Sequence, residues 1–327
     1  ERVREEDRPK VINLNNLRFV KNHVKVLVIG IGSMGMNHIK VLTQLRKEGL
    51  VTEIYAVDID KQRLETAKNL GVDLTFTDYR DALPRKPDLG IIAVPTALHY
   101  TIASELIGHM DLLIEKPVTE KLEDALDLYR KSRSLGRRIF VGHIERFNPV
   151  YRALINDIGN EKPIYIESIR VGKLRGDPRS YGNVLLDLGI HDIDLVIDMV
   201  NEDKVRVLSA VLKGSPVSTA WALLSIGDTI YVLHASWDYE VRIRRIQVTL
   251  KNRYYDADLL NKALIRDGVR HVVEGPDQLR QELMHVINAL RGVEKPVIDI
   301  VDGIKALAVV NGILANNPVI DLGELLT

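Results

Sequence analysis

The sequence predicts an α/β fold in two parts: a doubly wound parallel sheet, then an α+β domain with a large, mostly antiparallel sheet. Three observations carry this. From residue 23 to about 143, apolar runs of strand length alternate with helical patterns, as in βαβ units. A glycine-rich turn, GIGSMG, lies where the first strand gives way to the first helix. Past residue 164 the strand-like runs crowd together, as antiparallel strands do. At 327 residues the chain exceeds one ordinary core. Two domains are expected, residues 23–143 and 144–327, after a mixed-charge extension at 1–22.

The elements follow in order. VKVLVIGI is continuously apolar, as a strand buried on both faces must be. MGMNHIKVLTQLRKEG is helical and closed by Gly49. Next come strand TEIYAVD, helix DKQRLETAKNLG with Asp60 as N-cap, and strand DLTFT. DLGIIAVP, helix ALHYTIASELIG, strand DLLIE, helix TEKLEDALDLYRKSRSLG and strand RIFVG complete the first part. In the second part IYIESIRV, VRVLSAVL, TAWALLSI, TIYVLHASW and VRIRRIQVTL are strands, with Gly227-Asp228 as a hairpin turn. Helices near 146–158, 185–200 and 276–291 are expected over one face of that sheet, and a last amphipathic helix begins near Asp302. TAWALLSI and TIYVLHASW are apolar at both parities. The other face is therefore expected to be used for self-association.

Composition narrows the class. The net charge is zero, so nothing points to nucleic acid. No apolar run approaches the roughly 18 residues that span a bilayer, so no membrane partner is expected. There is no cysteine, which excludes disulfides and thiolate metal sites and fits a cytoplasmic enzyme.

Gly30, Gly32 and Gly35 form G-x-G-x-x-G between a buried strand and a helix, the context a dinucleotide requires. The first makes the tight turn, the second admits a pyrophosphate to the backbone, and the third lets helix and strand pack closely. Ser33 and Met34 begin the helix, whose free N–H groups and dipole attract the anion. Strand two ends in Asp58, placed to accept from a ribose diol and to repel the extra phosphate of NADP. The first part is therefore expected to be a Rossmann domain that binds NAD, with NADP disfavoured. Lys61 and Arg63 nearby soften that preference. Thr96 and His99 follow the strand DLGIIAVP at a carboxyl end of the sheet, where ligands bind in such folds.

In LLDLGIHDIDLVIDM, residues Asp187, His191, Asp194 and Asp198 recur at steps of four, three and four. On a helix those steps stack on one face. A buried unpaired charge costs several kcal/mol, so the stripe is paired off or lines a cavity. Asp and His at this spacing can also hold a metal. No second cluster accompanies them, so no metal is expected.

The glycine fingerprint, then Glu115-Lys116-Pro117, then Asp187-x-x-x-His191 in a mixed second half, resemble the glucose–fructose oxidoreductase, inositol dehydrogenase and MocA family. The resemblance covers nearly the whole chain from residue 23. It implies an NAD(P)-dependent sugar dehydrogenase. Glu115 and Lys116 would line the cofactor, with Lys116 beside the reacting hydroxyl. Asp187 and His191 would face nicotinamide and sugar. Histidine titrates near neutral pH and suits removal of the hydroxyl proton as hydride leaves. Lys116 would favour the alkoxide, Asp194 would orient His191, Asp187 would bind a neighbouring hydroxyl, and Asp198 would be structural. The family's usual GG is Gly182-Asn183 here, and its GF-x-R-R-F is GHIERF, which keeps Arg146 and Phe147. Arg146 is expected to bind substrate.

GHIERFNPVYRAL with DLGIHDIDL is similar to the family's UDP-N-acetylglucosamine 3-dehydrogenase-like branch. The loop RVGKLRGDPRSYG carries Arg170, Lys173, Arg175, Arg179 and Tyr181, a basic set suited to a diphosphate. A UDP-sugar such as UDP-N-acetylglucosamine, oxidised at its 3-position, is the expected substrate. A free sugar or polyol, or a non-catalytic NAD-binding regulator, are the alternatives.

Overall fold

A computed structural model describes residues 23–174, 176–178 and 181–326. The expectations for Arg175, Arg179 and the extension at 1–22 lie outside the described residues. The first part holds six strands: β1 Lys25–Ile29, β2 Glu53–Val57, β3 Leu74–Phe76, β4 Leu89–Ile92, β5 Asp111–Glu115 and β6 Ile139–Gly142. All run parallel, in the order β3-β2-β1-β4-β5-β6. Helices α1 Ser33–Lys47, α2 Lys61–Asn69, α3 His99–Leu106 and α4 Leu122–Leu135 connect them, save β3 and β4, which are joined through a 3-10 helix at Tyr79–Arg85. Asp60 caps α2, accepting from the Gln62 and Arg63 N–H groups. Gly49, just past α1, has a φ of +79°, which glycine adopts at no steric cost. The strand order reverses between β1 and β4, the switch point at which such sheets bind ligands.

The second part opens with α5 Pro149–Ile158 and β7 Tyr165–Val171. A π-helical turn at Leu185–Gly189 leads into α6 Ile190–Val200. Strands β8 Lys204–Lys213, β9 Thr219–Ile226, β10 Thr229–Ser236, β11 Ile243–Thr249, β12 Tyr254–Asp258, β13 Ala263–Arg266 and β14 Val269–Val272 follow. Then come α7 Gln278–Leu290, α8 Ile300–Ala315 and β15 Val319–Asp321. The nine-stranded sheet runs β14-β13-β12-β11-β7-β10-β9-β8-β15. Its pairs are antiparallel except β7 with β10. Gly227, with a φ of +54°, turns β9 into β10.

One face of this sheet is covered by α5, α6 and α8: Leu224, Tyr231 and Leu233 share a core with Leu154, Ile193, Val196, Val309 and Ile313. The other face leaves Leu208, Val211, Trp221, Leu223 and Ile230 exposed. The expected place of helix 276–291 is corrected. Leu279, Leu283, Val286 and Ile287 of α7 pack with Val26, Val28, Leu113 and Phe140 of the first sheet. Helix α8 serves both parts, since Ile300, Ile304 and Leu307 join Val118, Ile139 and Val141 beside that sheet. Gly303 permits the approach: a Cβ there would lie 3.0 Å from Val141 and 3.2 Å from Val118. Periodicity shows that a helix has an apolar face but not which sheet it will cover. Among the described residues no helix is long and apolar enough to cross a membrane.

Candidate active site

The glycine turn is built by exclusion of side chains. Gly30 has a φ of +85°, and a Cβ there would lie 2.7 Å from the Ala93 carbonyl oxygen. A Cβ on Gly35 would collide with the Gly30 carbonyl. A Cβ on Gly32 would meet nothing within 4 Å, so glycine there leaves the backbone open to a ligand. Ser33 and Met34 form the first turn of α1, which has no side-chain cap and no acidic residue. Its N–H groups and positive dipole end suit an anion. Asp58 follows β2, with one carboxylate oxygen accepting from the Ile31 N–H at 2.7 Å and the other from the Asp60 N–H at 2.9 Å. The acid is thus tied to the glycine turn, and Arg63 stands 3.5 Å from it. These residues fit a dinucleotide.

Two further strand ends complete the rim. Thr96 begins a short 3-10 turn after β4 and is part-buried. His99 was expected to touch cofactor and does not have that freedom. Its Nδ1 lies 2.9 Å from the Pro117 carbonyl oxygen and its Nε2 2.9 Å from that of Val94. Buried, with its pKa held below the ordinary value by that burial, it braces the turn holding Lys116. Glu115 ends β5 and binds His38 of α1 at 2.6 Å.

Glu282 of α7 is buried, and among the described residues neither of its carboxylate oxygens has a hydrogen-bond partner. Burial, reinforced by the charge of Glu115, pushes its pKa well above the usual carboxylate range. A folded-state pKa raised this way keeps a proton that the unfolded chain has lost. Stability then falls as pH climbs above the unfolded value. Glu282→Gln keeps the shape and removes the titration. Its melting temperature is expected to match the parent near pH 4 and to exceed it increasingly toward pH 8. The gap should widen by on the order of 1 kcal/mol per pH unit until the native carboxyl ionises. Thermal melts across that range check this, and parallel curves would contradict it.

Lys116 and Asp187 join the two parts of the chain. The Lys116 ammonium donates to the Asp187 carbonyl at 2.6 Å and to its carboxylate at 3.3 Å. Asp187 lies in the π turn, where the wider winding loosens the carbonyl ladder. Asn183, the departure from GG, caps this turn: its side chain accepts from the Leu185 and Leu186 N–H groups at 2.9 and 3.1 Å. The other Asp187 oxygen accepts from the Trp237 indole at 3.0 Å. Trp237 went unnoticed in the sequence, where it reads as one more apolar residue ending a strand. His191 follows on α6, part-buried, with no partner on Nδ1 among the described residues. Burial first, then the positive Lys116, Arg170 and Arg244, hold its pKa well below the ordinary value. The ring is neutral at neutral pH. His143 is buried too, with no hydrogen-bond partner on either ring nitrogen among the described residues and its Nδ1 3.8 Å from Asp194.

The rest of the stripe is paired off. Asp194 was expected to orient His191; instead it takes the Arg146 guanidinium on both oxygens, at 2.9 and 2.7 Å. Arg146 also reaches Asp198 at 2.8 Å and Asp302 at 3.0 Å. At 4% exposure, with three carboxylates around it, Arg146 is corrected from substrate contact to buried ion-pair centre. Arg170 is corrected likewise. It is buried on β7, bonded to Asp192 at 2.8 Å and Glu145 at 2.9 Å, and Arg244 adds a bond to Glu145 at 3.1 Å. Burial raises the Glu145 pKa, but Arg170 and Arg244 outweigh it and hold it below its ordinary value. Lys173 pairs with exposed Glu240 at 2.8 Å, and Tyr181 is exposed. Among the described residues no three His or acidic side chains are arranged to hold a metal.

Residues 24–143 match the model of an oxidoreductase family with an NAD-binding Rossmann fold. That model is of the glucose–fructose oxidoreductase, inositol dehydrogenase and MocA family, so the first part of the chain is similar to that family's Rossmann domain. This oxidoreductase is 29% identical over 250 residues to a UDP-N-acetylglucosamine 3-dehydrogenase of Acidithiobacillus ferrooxidans, across 74% of this chain and 76% of that one. A solved structure of that enzyme superposes with a TM-score of 0.79 at 25% identity, covering 90% of this chain and 97% of that one. An inositol 2-dehydrogenase of Pseudarthrobacter chlorophenolicus is 30% identical over 204 residues, across 59% of this chain and 60% of that one. The family and the glycine turn agree on a nicotinamide cofactor.

Proposed function

We propose that this oxidoreductase removes hydride from a hydroxyl of a UDP-sugar, with NAD as acceptor and Lys116 and His191 handling the proton. The observation that carries this is the Lys116–Asp187 contact, which sets a cation and a carboxylate together where the first domain's strand ends meet α6. The similarity to a UDP-N-acetylglucosamine 3-dehydrogenase over three quarters of both chains supports the UDP-sugar. The inositol dehydrogenase similarity keeps a free polyol as the second reading.

The glycine turn, Asp58, Thr96 and Glu115 would hold the dinucleotide. When bound, NAD supplies the hydride acceptor. Lys116 then favours the substrate's developing alkoxide by its charge. His191, neutral and unpaired among the described residues, is in the state from which a base accepts a proton. Asp187, held by two donors, keeps acceptor capacity for a neighbouring hydroxyl. Reduction of NAD by UDP-N-acetylglucosamine, followed as NADH absorbance, tests the reading.

Asp58 favours NAD over NADP, since a 2′-phosphate would bring negative charge to a carboxylate already fixed on the turn. The protein is expected to bind NAD the more tightly, and Asp58→Ala to weaken NAD and narrow the gap. Calorimetric titration with both dinucleotides decides, and tighter NADP binding by the parent would contradict the assignment. The open sheet face around Trp221, Leu223 and Ile230 is proposed to join copies of the chain. Sedimentation at micromolar concentration should then give the mass of a dimer or tetramer, and a monomer mass would remove that role.

A further inference from the structure

We propose that Trp237 is a positioning residue for the reaction, setting the plane of the Asp187 carboxylate through its indole N–H. The inference rests on Asp187 lying in the active site. Its Oδ2 accepts from Trp237 Nε1 at 3.0 Å and its Oδ1 from Lys116 Nζ at 3.3 Å. The terminal torsion of an aspartate is broad, so a carboxylate gripped at one oxygen still turns. Gripped at both, it holds one orientation and offers its remaining lone pairs in fixed directions. An indole suits this task because it donates only and does not titrate. The donor on this side of the carboxylate is therefore always an N–H.

The indole is itself fixed. Trp237 is buried in the core of the second sheet. Its backbone N–H donates to the Ser218 carbonyl at 2.8 Å. On either side, hydroxyls and a carboxylate lock the ends of β9 and β10. Thr219 and Ser236 hydroxyls are 2.6 Å apart, the Asp238 N–H donates to the Ser236 hydroxyl at 3.0 Å, and the Asp238 carboxylate accepts from Ser218 at 2.9 Å and from Thr219. A strand end held this firmly does more than close a core. It delivers one N–H to one carboxylate oxygen across the sheet–helix interface.

The chain has two tryptophans, so Trp221→Phe on the open face leaves Trp237 as the sole indole. In that ¹⁵N-labelled protein the Trp237 N–H resonance is expected downfield, and Asp187→Ala should move it upfield and speed its exchange. In turnover of UDP-N-acetylglucosamine with NAD, Trp237→Phe should lower kcat roughly ten- to hundredfold, the loss typical of a hydrogen bond to a charged group. The KM for NAD should not change. In an Asp187→Ala background, Trp237→Phe should cost little more. An indole resonance unmoved by Asp187→Ala, or losses that multiply in the double variant, would overturn the inference and leave Asp187 in place. Normal turnover by Asp187→Ala would instead remove Asp187 from the reaction, and the inference with it.

Discussion

His191→Asn is expected to lose about 10² to 10⁴ in turnover, the usual share of general acid–base catalysis, while still binding the dinucleotide. That is roughly 3–5 kcal/mol of barrier. Cofactor binding persists because the glycine turn and Asp58 lie on another part of the chain. The pH profile carries a second expectation. A base must be unprotonated, and burial with nearby positive charge holds the His191 pKa well below the ordinary histidine value. The acid limb of kcat/KM should therefore fall below pH 6.5. Lys116→Met should lower turnover too, by withdrawing charge from the alkoxide. If both residues serve one proton transfer, as proposed, the double variant should lose less than the product of the single losses. Near-normal turnover by His191→Asn would remove it from the mechanism.

Arg146→Met is expected to destabilise the fold by about 3–5 kcal/mol, measured as a shift of the urea midpoint. Arg146 gathers Asp194, Asp198 and Asp302, from α6 and α8, around one guanidinium. Removing it leaves negative charge in a site where burial already raises the pKa of Asp198. Removing one partner costs far more than the pair contributes, because the other charge stays desolvated. A substrate contact would behave differently, with KM changed and the midpoint kept.

Much of the fold was legible because its elements obey simple periods. The parallel strands are short and largely apolar, Asp60 stands where an N-cap must, and GIGSMG lies between a buried strand and a helix. The hairpins of β12, β13 and β14 escaped because YYDAD and VRHV carry too many polar residues to read as strands. The Asp267-Gly268 turn was the available signal, and both residues have positive φ, at 49° and 84°. At the site, spacing placed Asp187 and His191 on one helix, but it could not assign partners. Asp194 and Asp198 share that helix yet belong to an arginine 48 and 52 residues away. Arg170 carried a usable clue. It shares the inward parity of β7 with Ile166 and Ser168, so it had to be buried and paired rather than solvated in a loop. Trp237 had no such clue, since its significance is a single bond across the interface.

The account stands most directly on one measurement: NADH formation from NAD with UDP-N-acetylglucosamine, beside free N-acetylglucosamine and myo-inositol, for the parent and Lys116→Met. The account predicts turnover by the parent with the UDP-sugar, far less with either free compound, and a large loss in Lys116→Met. Equal or better turnover of a free sugar or polyol would contradict the UDP-sugar assignment, and turnover unchanged in Lys116→Met would contradict the site.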